Sequence, residues 1–235
     1  MNKPVAVITG ASRGIGYAIA QKFASEGFNL FIGGTKLETI SKVSAQFELD
    51  YGIKCSFFAA DLSIAENCKS FCASVLESYP QINVLVNNAG LFLGGKMMEE
   101  DEGQLLKMMN TNLFSAYHVT KNLWDFFAKN AKSHVFNLCS IASFTAYPAG
   151  GSYSITKFAL HGFTKSLRLE GMEKGICVSS VMPGATLTDS WAGVDIPESR
   201  FMKPDDVSEV IFTAWKINNS TVMEEIILRP ILGDL

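Results

Sequence analysis

Short, almost wholly apolar runs alternate along the chain with longer segments in which apolar residues recur at helical spacing. The apolar runs predict strands at PVAVITG (4–10), FNLFIGG (28–34), KCSFFAADL (54–62), INVLVNNAG (82–90), HVFNLCS (134–140), ICVSSVMPG (176–184) and EEIILRP (224–230). The segments between them predict helices over about 14–27, 37–51, 65–79, 100–129, 152–174 and 204–217. The pattern is therefore strand, helix, strand, helix from one end to the other.

Strands that are apolar along their whole length are typical of a parallel sheet that is covered by helices on both faces. We therefore expect an α/β fold, with a doubly wound sheet of seven parallel strands. The chain has 235 residues, 48% of them hydrophobic, and contains no Pro/Ser-rich linker, charge block or internal repeat. One domain over residues 1–235 is expected, with an irregular segment at about 184–203.

Composition excludes several kinds of partner and site. The net charge of −3 and pI of about 5.7 argue against nucleic acid, which requires a basic surface. The apolar run near the N-terminus is far too short for a signal peptide or membrane span, so we expect a cytoplasmic protein without a membrane partner. The five cysteines are expected to be free thiols. Cys68 and Cys72 lack an accompanying His or second Cys pair, and no metal site is predicted.

The first candidate for chemistry is the turn TGASRGIG (9–16), which joins the first strand to the first helix. Gly10, Gly14 and Gly16 let the backbone approach a pyrophosphate, and the helix N-terminus offers amide groups and a positive dipole end. The spacing is Gly-x-x-x-Gly-x-Gly, whereas the general dinucleotide fingerprint is Gly-x-Gly-x-x-Gly. Either pattern alone is a weak signal.

The end of the second strand bears on which dinucleotide is bound. Enzymes that use NAD usually carry an Asp or Glu there for the ribose 2′-hydroxyl, but this chain has Gly33, Gly34, Thr35 and Lys36. Arg13 and Lys36 supply positive charge for a 2′-phosphate, and Thr35 supplies a donor, so NADP(H) is favoured over NAD. If both cations are merely solvated surface charges, the preference would be relaxed.

Polar or glycine motifs occur at the C-terminal ends of five predicted strands, where open α/β sheets bind ligands. These motifs are Gly10–Gly16, Asp61, Asn88, Ser140 and Pro183-Gly184. Any one of them has an ordinary explanation, since Asn88 could be a turn residue and Asp61 a helix cap. Their recurrence at five strand ends favours a ligand site.

The segment SIASFTAYPAGGSYSITK (140–157) brings a hydroxyl, a phenol and an amine together. Tyr153 and Lys157 are four residues apart and share one face of a helix. This spacing proves little by itself, because Tyr117 and Lys121 repeat it. Only Tyr153 follows a strand that ends in Ser140 and a loop containing Gly and Pro, so it is the candidate for catalysis.

TGASRGIG, NNAG (87–90), Ser140, YSITK (153–157) and PG (183–184), in this order and spacing, resemble the short-chain dehydrogenase/reductase family across essentially the whole chain. The resemblance implies a Rossmann-like domain, a nicotinamide cofactor and a catalytic tetrad of Asn112, Ser140, Tyr153 and Lys157. Asn112 would hold a water in the proton relay. Without the resemblance, a helical Asn would be interpreted as a surface or capping residue.

The resemblance also implies the cofactor contacts. They fall on Gly10, Ser12, Arg13, Gly14, Ile15, Gly16, Thr35, Lys36, Asp61, Leu62, Asn88, Ala89, Gly90, Tyr153, Lys157, Pro183, Gly184, Thr186 and Thr188. The chain departs from the family pattern at three positions. Thr35 stands where Arg is common, Cys139 where a second Ser is frequent, and Ser115 where Gly is usual. The first departure bears on the choice of NADP.

The implied reaction is reduction of a ketone by NADPH on a small-molecule carbonyl substrate. Tyr153 would donate the proton, its pKa lowered from about 10 by Lys157, and Ser140 would orient the carbonyl. EEIILRPILGDL (224–235), MNTNL (109–113) and TDSWAGVD (188–195) are similar to the bacterial sepiapterin reductase branch. Trp191 is expected either to face a flat or apolar ketone or to pack its loop onto the core.

Two other functions remain open at this point. One is a 3-oxoacyl-[acyl-carrier-protein] reductase, whose acidic carrier prefers a basic entrance. Segment 184–206 is rich in Asp and Glu, although Lys129, Lys132 and Lys174 could offset this. The other is a non-catalytic NADP-binding regulatory protein. The resemblance further implies a homodimer or homotetramer packed through the helices predicted at about 100–129 and 152–174.

Overall fold

A computed structural model of the chain describes residues 3–127, 132–148, 150–191, 193–218 and 220–235. Within them, seven strands form one sheet in the order β3-β2-β1-β4-β5-β6-β7, and every neighbouring pair is parallel. The strands are β1 (Val5–Ile8), β2 (Asn29–Gly34), β3 (Cys55–Ala59), β4 (Val84–Asn87), β5 (Ser133–Leu138), β6 (Ile176–Pro183) and β7 (Glu225–Leu228). The predicted α/β class, strand number and direction are confirmed.

The α-helices connect successive strands. They are α1 (Gly14–Ser25), α2 (Leu37–Tyr51), α3 (Ala65–Ser78), α4 (Gln104–Met109), α5 (Ser115–Leu123), α6 (Gly151–Lys174) and α7 (Pro204–Lys216). Helices α2 and α6 end in glycines with left-handed φ angles, Gly52 at 59° and Gly175 at 68°, which any other residue would adopt only with strain. None of the helices in the described part of the chain has the length and apolar character needed to cross a bilayer.

Buried apolar residues lie on both faces of the sheet. In β1, Ala6 and Ile8 face a cluster that includes Phe23 and Phe212, from helices α1 and α7. Val5 and Val7 face the opposite cluster, which includes residues of α3, α5 and α6. Alternate side chains of a strand point to opposite faces, so covering both faces requires apolar residues at every position. This explains the continuous runs in the sequence.

The largest departure from the predicted elements is the helix expected over about 100–129. Helix α4 begins only at Gln104, after Gly103 at φ 90°. A π-helical turn at Asn110–Phe114 separates α4 from α5, and a 3-10 turn at Trp124–Phe126 follows α5. Residues 128–131, including Lys129, lie outside the described residues. Irregular turns of five and three residues are too short for apolar periodicity to reveal the change of winding.

The chain winds outward from β1 in both directions, to β2 and β3 on one side and to β4 through β7 on the other. The crevice at the carboxyl ends of β1 and β4 is therefore the topological switch point, where open α/β sheets bind ligands. The turn after β1 and Asn88 after β4 lie at this crevice.

Candidate active site

The glycine-rich turn is packed tightly against the end of β4. Asn88 Nδ2 donates hydrogen bonds to the carbonyl oxygens of Thr9 (2.9 Å) and Gly10 (3.0 Å). Thr9 Oγ1 accepts from the amides of Asn88 and Ala89, both at 3.0 Å. A Cβ on Gly16 would approach Asn88 Nδ2 and Gly10 O to 2.3 Å. Asn88 therefore connects the end of β4 to the glycine-rich turn, and it also lies at the crevice.

The turn fits the phosphates of a dinucleotide. Helix α1 begins at Gly14, and the side chain of its N-cap residue, Arg13, makes no hydrogen bond to the first turn. The amide groups of that turn and the positive end of the helix dipole are consequently suited to an anion. Gly14 has a φ of 58°, and a Cβ there would lie 3.3 Å from Thr188 Cγ2. The segment after β6 therefore lies directly over the turn.

The cations predicted to select NADP lie on the surface near the ends of β1 and β2. Thr35 and Lys36 are exposed directly after β2. Arg13 Nη1 forms an ion pair with Asp189 Oδ2 at 2.7 Å, and both side chains are mostly exposed. The sequence did not indicate this pairing, because 176 residues separate the two.

Asp61 and Leu62 follow β3 at the same edge of the sheet. Asp61 is exposed, and its Oδ1 accepts a hydrogen bond from the amide of Ser63 at 2.9 Å. It does not cap α3, whose N-cap residue is Ile64. The Leu62 side chain is 8% exposed and belongs to the core. Of the two, Asp61 alone presents a side chain to solvent.

Ser140 is fixed by a short capped turn after β5. Its Oγ accepts from the Ala142 amide at 3.1 Å, and its own amide donates to Ser143 Oγ at 3.2 Å. The Ser140 side chain also hydrogen-bonds Tyr153. Such reciprocal capping restrains both the backbone and the hydroxyl, so Ser140 meets the phenol in a defined geometry.

Tyr153 and Lys157 lie on the first two turns of α6, as their spacing predicted. Lys157 Nζ donates to the Leu138 carbonyl oxygen at 2.6 Å and lies 5.6 Å from the centroid of the Tyr153 ring. The Lys157 side chain is buried, whereas Tyr153 is partly exposed to the crevice. On its other side, the Tyr153 ring meets Phe92 edge-on at 4.9 Å. The proposed Ser, Tyr and Lys of the tetrad are thus brought together.

The pKa of Tyr153 differs from the sequence-based expectation. Burial by surrounding protein raises the pKa of Tyr153 to about 12, and the hydrogen bond with Ser140 only partly opposes this. Burial likewise lowers the pKa of Lys157 to about 8. The expected lowering of the phenol pKa by Lys157 is wrong for the chain alone, because desolvation, which disfavours the phenolate, is the largest cause of the shift.

Asn112 lies in the π-helical turn between α4 and α5, behind Gly90. Its side chain is fully buried, donating to the Leu91 carbonyl oxygen and to Thr156 Oγ1, both at 2.9 Å, and accepting from the Leu91 amide at 2.6 Å. It is therefore neither a surface nor a capping residue. Its side chain links the segment after β4 to α6, next to Tyr153 and Lys157. π-Helical turns occur frequently at functional sites.

A cleft of about 610 Å³ connects these groups. Its lining includes the predicted residues Ile15, Asn88, Gly90, Ser140, Tyr153, Lys157, Pro183, Gly184, Thr186, Thr188 and Trp191. Predicted residues outside this lining are Gly10, Ser12, Arg13, Gly14, Gly16, Thr35, Lys36, Asp61, Leu62, Ala89 and Asn112. The cleft therefore joins the catalytic candidates to the Ile15 end of the turn.

Sequence reasoning missed several residues of the cleft wall. Phe92 and Tyr147 contribute aromatic surface, and Asp234 and Leu235 arrive from the C-terminal tail. The position of the C-terminal tail could have been predicted from the parallel sheet. Because the strands are parallel, any segment after β7 must emerge at the same edge as Ser140 and Gly184.

Trp191 takes both of the positions considered for it. It lines the cleft, and its ring packs against Phe201 with centroids 5.0 Å apart. An isolated parallel β-bridge between Thr186 and Met202 joins the two ends of the loop. Trp191 thus holds the loop together and presents part of its indole to the cleft.

Comparison with known proteins agrees with the geometry. The family model described as short chain dehydrogenase matches residues 4–198. The chain belongs to the short chain dehydrogenase family. Members of this family are oxidoreductases, and the resemblance drawn from the motifs is confirmed.

Relatives of this family member carry different substrate names. Sepiapterin reductase of Chlorobaculum tepidum is 30% identical over 241 residues, which cover 99% of this chain and 98% of the relative. The 3-oxoacyl-[acyl-carrier-protein] reductase of Aquifex aeolicus is 32% identical over 222 residues, covering 88% of each. An alcohol dehydrogenase from Thermococcus sibiricus, solved in complex with 5-hydroxy-NADP, superposes with a TM-score of 0.91 at 28% identity, covering 100% of this chain and 99% of that one.

Proposed function

We propose that this short chain dehydrogenase is an NADPH-dependent reductase of small ketones. The observation that carries the proposal is the Tyr153 phenol, hydrogen-bonded to Ser140 and beside the buried Lys157, in one cleft with Ile15 of the glycine-rich turn. A proton donor and a dinucleotide-binding turn then face the same space. The NADP analogue bound by the archaeal alcohol dehydrogenase supports the cofactor class.

In the proposed reaction, residues of this chain bind the cofactor, orient the carbonyl and donate the proton. Amides at the start of α1 and the Arg13 guanidinium would hold phosphate, and Thr186 and Thr188, which line the cleft, would border the nicotinamide end. The chemistry that NADPH would supply when bound is a hydride for the carbonyl carbon. The Tyr153 phenol, kept protonated at neutral pH by a pKa of about 12, gives its proton to the carbonyl oxygen, which Ser140 orients. Lys157, still largely cationic at neutral pH, stabilises the phenolate left behind.

The walls of the cleft favour a flat or apolar substrate. Phe92, Tyr147 and Trp191 supply aromatic faces, which suit a heteroaromatic ketone or a small diketone. The sepiapterin reductase relative supports the same class. Lys132 and Lys174 precede β5 and β6, at the sheet edge opposite the cleft, where Lys174 pairs with Asp125. They consequently offer no basic entrance to an acyl-carrier protein.

A substrate panel tests the proposal. We expect NADPH to be consumed faster than NADH, and sepiapterin or simple diketones to react faster than acetoacetyl thioesters. Absorbance of the reduced nicotinamide gives each rate. Faster reaction with the thioesters would favour the 3-oxoacyl reductase, for which the Aquifex relative is the support. NADPH binding without turnover of any member would favour a regulatory protein.

The ion pair between Arg13 and Asp189 leads to a separate prediction. Asp189→Asn should tighten NADPH binding, because Arg13 then no longer has to break its ion pair with Asp189 before it binds the 2′-phosphate. An exposed ion pair contributes at most about 1 kcal/mol, which corresponds to up to about fivefold in affinity. NADH, which lacks the 2′-phosphate, should bind as before. Fluorescence titration measures both, with Asp195→Asn, another exposed carboxylate of the loop, as the control. Equal tightening toward both cofactors would contradict a role for Arg13 at the 2′-phosphate.

Three further proposals concern the whole chain. We propose one domain over 1–235, a cytoplasmic location, and a homodimer or homotetramer. Helices α4 and α6 belong to the segments expected to pair, and they carry exposed apolar residues, among them Leu106, Phe158 and Leu169. These residues support association of copies of the chain through the two helices.

A further inference from the structure

The segment that follows β4 reaches across to the first turn of α6, the helix that carries Tyr153 and Lys157. Glu100 Oε1 accepts a hydrogen bond from the Ser152 amide at 2.8 Å, and its Oε2 accepts from the Ser152 hydroxyl. Gly151 has a φ of 40°, and a Cβ there would overlap Glu100 Oε1. The carboxylate therefore occupies the space that a side chain at position 151 would take.

The same segment also contacts the Tyr153 ring. Phe92 packs edge-on against it, with ring centroids 4.9 Å apart. Tyr153 directly follows Ser152, so one segment restrains both the backbone entering Tyr153 and the face of its ring. The N-cap residue of α6, Gly150, has no side chain with which to cap the helix. Glu100 supplies from a distant part of the chain the acceptor that an N-cap side chain normally provides.

We propose that Glu100 is a positioning residue for catalysis: by bonding both donors of Ser152, it fixes the first turn of α6 and so the placement of the Tyr153 hydroxyl. The inference rests on the proposed function, in which Tyr153 is the proton donor. Proton transfer depends steeply on the placement of donor and acceptor. Ser140 is held by its own capped turn, so a shift of α6 would move the phenol relative to Ser140.

The experiment compares Glu100→Ala with Glu99→Gln. Glu99 is the matched control, because it is the adjacent carboxylate but is exposed and pairs with Lys96, at 2.9 Å. The rate constant of a single turnover, with enzyme in excess over NADPH and ketone saturating, is the decisive measurement. NADPH is the limiting reagent, so an unfolded fraction changes neither the amplitude nor the rate constant as long as folded enzyme still saturates NADPH, and a merely stabilising role is distinguishable. NADPH affinity and thermal denaturation complete the comparison.

We expect Glu100→Ala to lower the single-turnover rate constant about tenfold, with NADPH affinity within about twofold of the parent. Glu99→Gln should match the parent. Glu100→Gln keeps an acceptor for the Ser152 amide, and Ser152→Ala keeps that bond but loses the hydroxyl, so each should lower the rate constant about threefold. These two variants decide the matter if Glu100→Ala does not fold.

A parental rate constant in Glu100→Ala, with only a lower melting temperature, would overturn the inference. Parental rate constants in both Glu100→Gln and Ser152→Ala would do the same. Failure of the proposed function has a different signature: either the parent itself turns over no ketone, or Tyr153→Phe retains turnover whatever Glu100 does.

Discussion

Tyr153→Phe is expected to bind NADPH but to reduce ketones at least about a hundredfold more slowly than the parent. The substitution removes one oxygen atom, the group placed to protonate the carbonyl, and keeps the ring that packs against Phe92. Loss of a general acid typically lowers the rate about 10²- to 10⁴-fold. Steady-state NADPH oxidation gives the activity, and fluorescence titration gives NADPH affinity, which should stay within about twofold because the phosphate contacts are untouched.

The chain supplies a matched control for this substitution. Lys121 Nζ lies 5.6 Å from the centroid of the Tyr117 ring, the same separation as between Lys157 and Tyr153. Tyr117 is 41% exposed on α5 and does not line the cleft. Tyr117→Phe should therefore retain parental activity. Parental turnover in Tyr153→Phe would remove the phenol from the mechanism and leave the proton donor to be found elsewhere.

The shifted pKa values of Tyr153 and Lys157 are compatible with the proposed direction of reaction, the reduction of a ketone. A carbonyl reductase needs a protonated phenol before the reaction, and burial, which raises the pKa of Tyr153 to about 12, keeps it protonated at neutral pH. The phenolate that remains after proton transfer must then be stabilised. Lys157, whose pKa is about 8, is mostly charged at pH 7 and loses that charge above pH 8. At neutral pH the phenol is thus protonated and Lys157 is charged, which are the protonation states that the proposed reduction requires.

Local signals were sufficient for much of this site. The seven apolar runs predicted the sheet, because strands buried on both faces need apolar residues throughout. The glycines of the turn and the Tyr153–Lys157 spacing depend on neighbours within one turn or one helix. These features are encoded over a few residues and could be recognised without coordinates.

Features formed between distant segments could not be predicted in the same way. The contacts of Glu100 with Ser152 and of Arg13 with Asp189 join residues 52 and 176 positions apart, and no periodicity connects them. The raised pKa of Tyr153 has a similar origin, since it depends on how many atoms from other elements exclude water. The sequence places charges along the chain, whereas desolvation appears only once the chain has folded.

Lys157→Met is expected to produce a more stable protein with little activity. Lys157 is 5% exposed, and burial lowers its pKa from 10.5 to about 8, which corresponds to about 3 kcal/mol against burying the ammonium. Methionine has a similar length and no charge. It loses the hydrogen bond to the Leu138 carbonyl oxygen, worth about 1 kcal/mol. The free energy of unfolding at pH 7 should therefore rise by about 2 kcal/mol, as measured by urea denaturation.

The same pKa shift determines how this advantage varies with pH. Lys157 in the folded protein releases its proton near pH 8, whereas in the unfolded chain it does so near 10.5. Between these values the unfolded state binds more protons, so the parent gains stability as pH rises. Methionine binds none, and the advantage of Lys157→Met should be largest below pH 8 and shrink toward pH 10.5. Lys121→Met, at an exposed position with the same spacing to Tyr117, should lack this dependence. If the parent is more stable than Lys157→Met at pH 7, the buried ammonium stabilises the fold. The catalytic lysine would then not lower the free energy of unfolding.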